Sequence, residues 1–183
     1  MEPATGTAHL QKLLEDSLVA ARVQGRHKYF QLASADVAHC VEAMMAIARP
    51  SKSNNAEKFS PMQAARFCYD HLAGRLAVQI TSALIACKVL QLGDGEFIVT
   101  RRGGSWFRDF GIDLDALRHS RRRFATACLD WTERKDHLGG ALGAAVASQI
   151  ANKGWITRTE GRRSVNITRS GKRAFRNMLG IDN

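Results

Sequence analysis

Acidic residues are scarce in this chain of 183: 17 Asp and Glu stand against 27 Lys and Arg, a formal net charge of +10. Such an imbalance favours a polyanionic partner. Cysteine is scarce too. Cys40, Cys68, Cys87 and Cys128 lie far apart with no CxxC pair, which argues against a disulfide framework and against a zinc ribbon. No uncharged apolar run reaches about 18 residues, so a membrane span is not expected. The most apolar stretch, Leu76 to Leu92, is interrupted by Gln79, Lys88 and Gln91. The opening residues Met1-Glu2-Pro3-Ala4-Thr5 lack the basic and apolar regions of a secretory signal, so a cytoplasmic protein is expected. No Gly-rich phosphate loop follows a strand, and no nucleophile elbow or HExxH is present, so no enzyme is expected. The 45 % hydrophobic content is ample for a core and excludes a disordered basic tail.

The charge is unevenly spread. Residues 1–60 hold seven Lys/Arg and six Asp/Glu, whereas residues 61–183 hold 20 and 11. The densest basic stretch comprises Arg158, Arg162, Arg163, Arg169, Lys172, Arg173 and Arg176. It reads either as a solvated basic face or as a phosphate-contacting one. Pro50 and Pro61 bracket a polar, Ser/Asn-rich segment that reads as a linker, residues 49–61. Before it, Ala8, Leu10, Leu13 and Leu14 have helical spacing over Thr5 to Asp16. Leu18 to Val23 and Lys28 to Leu32 read as strands around the turn Gln24-Gly25-Arg26-His27. Ser34 reads as an N-cap for a helix from Ala35 to Ala48.

Helix, strand, basic turn, strand, helix is the second half of a winged helix. The segment Thr7-Ala8-His9-Leu10-Gln11-Lys12-Leu13-Leu14, followed by Gly25-Arg26-His27-Lys28-Tyr29-Phe30-Gln31-Leu32-Ala33-Ser34, resembles the ArsR family of bacterial transcriptional repressors. The resemblance covers residues 3–48. It implies a recognition helix, a wing, a dimerisation helix at Ala35 to Ala48 and release from DNA by an effector. It also implies helices ahead of the recognition helix, so an N-terminal truncation is expected. Thr5, Thr7, His9, Gln11 and Lys12 suit base-edge and phosphate contacts in the major groove. Gln24, Arg26, His27 and Lys28 of the wing would reach phosphate or the minor groove. The expected partners are double-stranded DNA, a second copy of the chain and an unidentified effector. The rival reading is a dimerisation or sensing module without operator binding of its own.

The later segment, residues 62–183, contains an internal repeat, about 62–113 and 120–183. His71-Leu72-Ala73-Gly74-Arg75-Leu76 aligns with His137-Leu138-Gly139-Gly140-Ala141-Leu142. Thr100-Arg101-Arg102-Gly103 aligns with Thr168-Arg169-Ser170-Gly171, and Gly111-Ile112-Asp113 with Gly180-Ile181-Asp182. Cys68-x-Asp70 echoes Cys128-x-Asp130. Each copy is expected to run helix, helix, short hairpin, terminal helix, a winged-helix-like unit with Thr100 or Thr168 as N-cap. The expected fold is therefore mainly α with short β-hairpins (α+β): a partial winged helix followed by two winged-helix-like repeats. In this reading the tandem segment also looks like the C-terminal extension of a longer ArsR-like subgroup.

The hairpin turn of the first copy, Gly93-Asp94-Gly95-Glu96, is acidic. That of the second, Glu160-Gly161-Arg162-Arg163, is basic, so Arg162 and Arg163 form a candidate secondary wing. No cofactor is required, but a metal ion is conceivable on Cys68, Asp70, His71 and Cys128, since thiolate plus imidazole suits zinc or a softer ion. On a helix Cys68 and His71 would share a face, whereas Cys128 and His137, nine apart, would lie on opposite faces. Trp106, Phe107, Phe110, Phe124, Trp131 and Trp155 could line an effector pocket between the copies or form core.

Overall fold

The computed structural model describes residues 3–24, 27–47, 60–158 and 163–182. It divides into two compact units, Met1–Met45 and Ala46–Asn183. Most of the expected linker, residues 49–59, lies outside the described residues, as do Arg26 and Arg162.

The first unit is a helix, a hairpin and a helix. Helix α1 spans Pro3–Glu15, with Leu10, Leu13 and Leu14 half-buried and Thr7, His9, Gln11 and Lys12 exposed. Ser17, at φ 56°, turns the chain into β1, Val19–Gln24. This strand pairs antiparallel with β2, His27–Leu32, from Val19 opposite Leu32 to Gln24 opposite His27. Helix α2, Ala35–Ile47, follows. Ser34 caps it, its Oγ accepting the Val37 N–H at 3.2 Å.

The second unit opens with α3, Pro61–Ala64, closed by a capping box between Ser60 and Gln63. Next comes a tight hairpin of β3, Arg66–Cys68, and β4, His71–Ala73. Helix α4, Arg75–Ala86, leads to a second hairpin, β5 Leu90–Leu92 with β6 Phe97–Val99, and to α5, Arg101–Phe110. After a short helix α6, Leu114–Arg118, the same order recurs: β7 Ala127–Leu129 with β8 Asp136–Leu138, α7 Gly140–Asn152, β9 Ile156–Arg158 with β10 Val165–Ile167, and α8 Arg169–Leu179.

One expectation is corrected here. The segments carrying Cys68 and Cys128 are hairpins, not helices. Tyr69, at φ 59°, makes the left-handed step of the first turn, and Gly74, at φ 83°, delays the start of α4 until after β4. These three-residue strands cannot stand alone; they are held by the opposite half of the unit. The Phe67 N–H donates to the Arg163 carbonyl at 2.9 Å and the Val165 N–H to the Ala65 carbonyl at 3.0 Å. Reciprocally, the Phe97 N–H donates to the Ala125 carbonyl at 2.7 Å and the Ala127 N–H to the Gly95 carbonyl at 3.1 Å. Each half thus places the first hairpin of one repeat against the second hairpin of the other.

The core between the halves contains Leu76, Leu84, Phe107, Leu142, Ile150 and Phe175, all at most 2 % exposed. Each such side chain contributes about 1.5–3 kcal/mol on burial. Trp106, Phe110 and Trp155 pack in a chain that ends edge-on against Phe175. Phe110 and Phe175 belong to the core, and the half-buried Trp106 and Trp155 pack against it.

Terminal helices α5 and α8 begin alike. Thr100 accepts the Gly103 N–H at 3.0 Å, and Thr168 accepts the Gly171 N–H at 3.0 Å. The Thr168 hydroxyl also donates to the Gly154 carbonyl at 2.8 Å, tying the helix to the turn before β9. Thr168→Ala is therefore expected to cost about 0.5–2 kcal/mol, the range for a lost N-cap, read as a lower urea midpoint with an unchanged slope.

Candidate functional site

Two groups of residues carry candidate chemistry, one in each unit. In the first unit α1 turns its leucines inward and leaves His9, Gln11 and Lys12 exposed. Lys12 lies 3.8 Å from Asp16 and Gln11 reaches Glu15 at 3.4 Å. Such exposed i,i+4 pairs are weak and yield readily to a phosphate. Lys28 is exposed on β2, directly opposite Val23, with its ammonium 5.3 Å from the centre of the Phe30 ring. The side chains of Thr5, Gln24 and His27 and the whole of Arg26 lie outside the described residues.

In the second unit the hairpins bring four side chains together. Cys68 and His71 are direct cross-strand partners flanking the two-residue turn, and Cys128 and His137 are direct partners in the other hairpin. Opposed residues on antiparallel strands point to one face, with Cβ atoms about 4.5–5.5 Å apart. The candidate ligand atoms of Cys68, His71, Cys128 and His137 lie within 4.8 Å of one another, and all four residues are buried. The two imidazoles face each other with centroids 5.2 Å apart. The Cys68 thiol is within hydrogen-bonding reach of Cys128, His137 and His71. Its hydrogen bond with Cys128, then burial, push its pKa up to about 12 against smaller opposing effects of the two histidines. Apart from that thiol, neither ring nitrogen of His71 or His137 has a hydrogen-bond partner.

A carboxylate sits behind each histidine. Asp70 Oδ1 is 3.5 Å from His71 Nδ1, and Asp130 Oδ2 is 3.8 Å from His137 Nδ1. Asp130 is fully buried. Its Oδ2 accepts from Arg66 at 2.9 Å and from the Gly74 N–H at 2.6 Å, while its Oδ1 accepts from the Thr132 N–H and hydroxyl and from the Glu133 N–H. Burial raises the Asp130 pKa, but those hydrogen bonds and the guanidinium outweigh it and hold the carboxyl below the usual range. Arg66, 1 % exposed, also lies over the Trp131 ring at 4.9 Å and donates to the Met62 carbonyl.

Over 184 aligned residues the chain is 39 % identical to YdfF of Bacillus subtilis, an uncharacterized HTH-type transcriptional regulator, covering 99 % of this chain and 81 % of that protein. The chain belongs to the HTH-type transcriptional regulators. No protein-family model matches it, and no solved structure does. Among the described residues, no helix of this regulator is long and apolar enough to cross a membrane.

The structure brings together three of the four metal candidates read from the regulator's sequence, Cys68, His71 and Cys128. Asp70 stands outside the set, its Oδ2 bonded to Arg122 at 2.5 Å. His137 takes the fourth place. A helix over residues 128–137 would set it opposite Cys128, but the six residues between β7 and β8 form a loop that returns it to face Cys128. The signal was in the repeat, where His137 aligns with His71. Arg163 of the candidate secondary wing has an internal role: its Nε and terminal nitrogen donate to the Phe67 carbonyl at 3.1 and 2.9 Å.

Proposed function

We propose that this regulator is an ArsR-type repressor that binds double-stranded operator DNA as a homodimer and is released by an effector. In this reading α1 is the recognition helix, β1–β2 the wing and α2 the dimerisation helix of a winged-helix segment spanning residues 1–48. Residues 62–183 form the extension of two winged-helix-like repeats. The observation that carries the reading is the first unit itself: a helix with a polar outer face, followed directly by a hairpin with Lys28 exposed beside its turn. Thr5, Thr7, His9, Gln11 and Lys12 would read the major groove, and Gln24, Arg26, His27 and Lys28 would meet the backbone or minor groove. Support for pairing through α2 comes from Met44, 62 % exposed on an apolar helix.

Fluorescence anisotropy against the intergenic DNA upstream of its own gene, with scrambled DNA as control, tests the reading. Tighter binding to the native fragment at two salt concentrations is the expected result. Lys12→Ala with Lys28→Ala should weaken binding and reduce the salt slope by about 2, since each ammonium that leaves a phosphate lowers the slope by about one. Equal affinity for both DNAs, set by salt alone, would sink the repressor reading and favour a dimerisation or sensing module.

A further inference from the structure

We infer that Cys68, His71, Cys128 and His137 bind one zinc ion in a closed site that joins the two repeats of the second unit. This inference goes beyond operator binding and rests on the second unit alone. The ligand set is two thiols and two imidazoles, a combination that structural zinc sites use. Zinc–sulfur bonds of about 2.3 Å and zinc–nitrogen bonds of about 2.0–2.1 Å place tetrahedral ligand atoms roughly 3.3–3.8 Å apart. The four candidate atoms already fall within 4.8 Å of one another, so small side-chain rotations close the site.

A second observation is independent of that spacing. His71 is 6 % and His137 1 % exposed, yet neither ring has a hydrogen-bond partner outside the cluster. Buried imidazoles so placed are costly, and a metal ion removes the cost. The Asp70 and Asp130 carboxylates lie on the Nδ1 side of the rings, the arrangement that orients a metal-bound histidine through its other nitrogen. His71 Nε2 faces the opposite hairpin: a Cβ built on Gly139 would lie 3.3 Å from it and 3.3 Å from Cys128 Cβ.

Each repeat supplies one cysteine and one histidine from equivalent hairpins, so the ion sits at the junction of the halves. Four protein ligands, all buried, leave no open coordination position for substrate, which makes the role structural rather than catalytic. Binding releases the two thiol protons to solvent and leaves two thiolates and one Zn2+ with no net charge.

The test uses the full chain, purified under reducing conditions. Metal analysis after desalting should give one zinc per chain. Cobalt(II) titrated into the zinc-stripped chain should produce the d–d absorption of a tetrahedral ion and a thiolate-to-cobalt charge-transfer band. Cys128→Ser and His137→Asn should each lose the metal, whereas replacing the exposed Cys40 and Cys87 with Ser should keep one zinc per chain. Removing zinc with a chelator should lower the unfolding midpoint of the wild type and leave that of Cys128→Ser in place. If the variants fail to fold, the cobalt spectrum of the wild type still decides. A reduced wild-type chain that holds no zinc and gives no tetrahedral cobalt spectrum overturns the inference. So does zinc that survives Cys128→Ser, or a Cys68–Cys128 disulfide that persists and excludes cobalt.

Discussion

Replacing Asp130 with alanine is expected to destabilise the second unit by about 3–5 kcal/mol, the cost of leaving a buried charge without its partner. Arg66 is 1 % exposed and would be left buried without its counter-ion. The Gly74 N–H would lose its 2.6 Å bond, and the Thr132 and Glu133 N–H groups would lose the acceptor that shapes their turn. That turn returns the chain to β8, so its loss displaces His137 as well. Urea unfolding measures the effect. The double variant Arg66→Met, Asp130→Leu separates charge from shape. It removes both ions and should recover a large part of the loss, since apolar groups often replace buried ion pairs at little cost. A loss below about 1 kcal/mol for Asp130→Ala would mean that water reaches Arg66 and that the pair is not sealed.

Gly171→Ala is expected to cost about 1–3 kcal/mol or more, the range for overpacking a filled core. A Cβ at this position would stand 2.1 Å from the Trp155 carbonyl oxygen and 2.8 Å from its carbon. Both are backbone atoms, so no rotamer change relieves the clash. Helix α8 would have to withdraw, yet that same carbonyl accepts from the Thr168 N–H at 3.0 Å and from its hydroxyl at 3.1 Å. Withdrawal therefore breaks the cap that starts the helix. Gly103→Ala should behave alike, with the Val89 carbonyl oxygen at 2.2 Å. Gly104 is the control. It lies in the same helix as Gly103 with nothing within 4 Å of an added Cβ. There alanine should stabilise by up to about 1 kcal/mol through helix propensity. Thermal or urea unfolding of the three variants gives the comparison. Equal midpoints for Gly103→Ala and Gly104→Ala would show that the helix does not lie against the carbonyl.

The chain's local chemistry was legible wherever one segment decides its own conformation. Leucine spacing marks α1, polar turn residues mark the β1–β2 hairpin, and Ser34, Thr100 and Thr168 mark helix starts because a hydroxyl at those places satisfies N–H groups three residues on. The glycines after α5 and α8 mark their ends: Gly111 and Gly180 are left-handed at φ 93° and 65°. The excess of basic residues over acidic ones, and the recurrence of Cys-x-Asp and His-Leu landmarks, also belong to the sequence alone.

Tertiary structure decided what those landmarks mean. Strands β3, β4, β7 and β8 are three residues each, too short for a periodic signature, and the unit's other half adds hydrogen bonds along β3 and β7. Only that exchange makes hairpins of segments whose spacing also fits a helix. It turns Cys128 and His137 from opposite faces into a facing pair, and it directs Arg163 to the Phe67 carbonyl. It also divides two aspartates that look equivalent in the repeat. Asp130 is sealed on Arg66, whereas Asp70 remains near the surface on Arg122. Residue types and their order were set locally; which side chains meet was set by the packing of one repeat against the other.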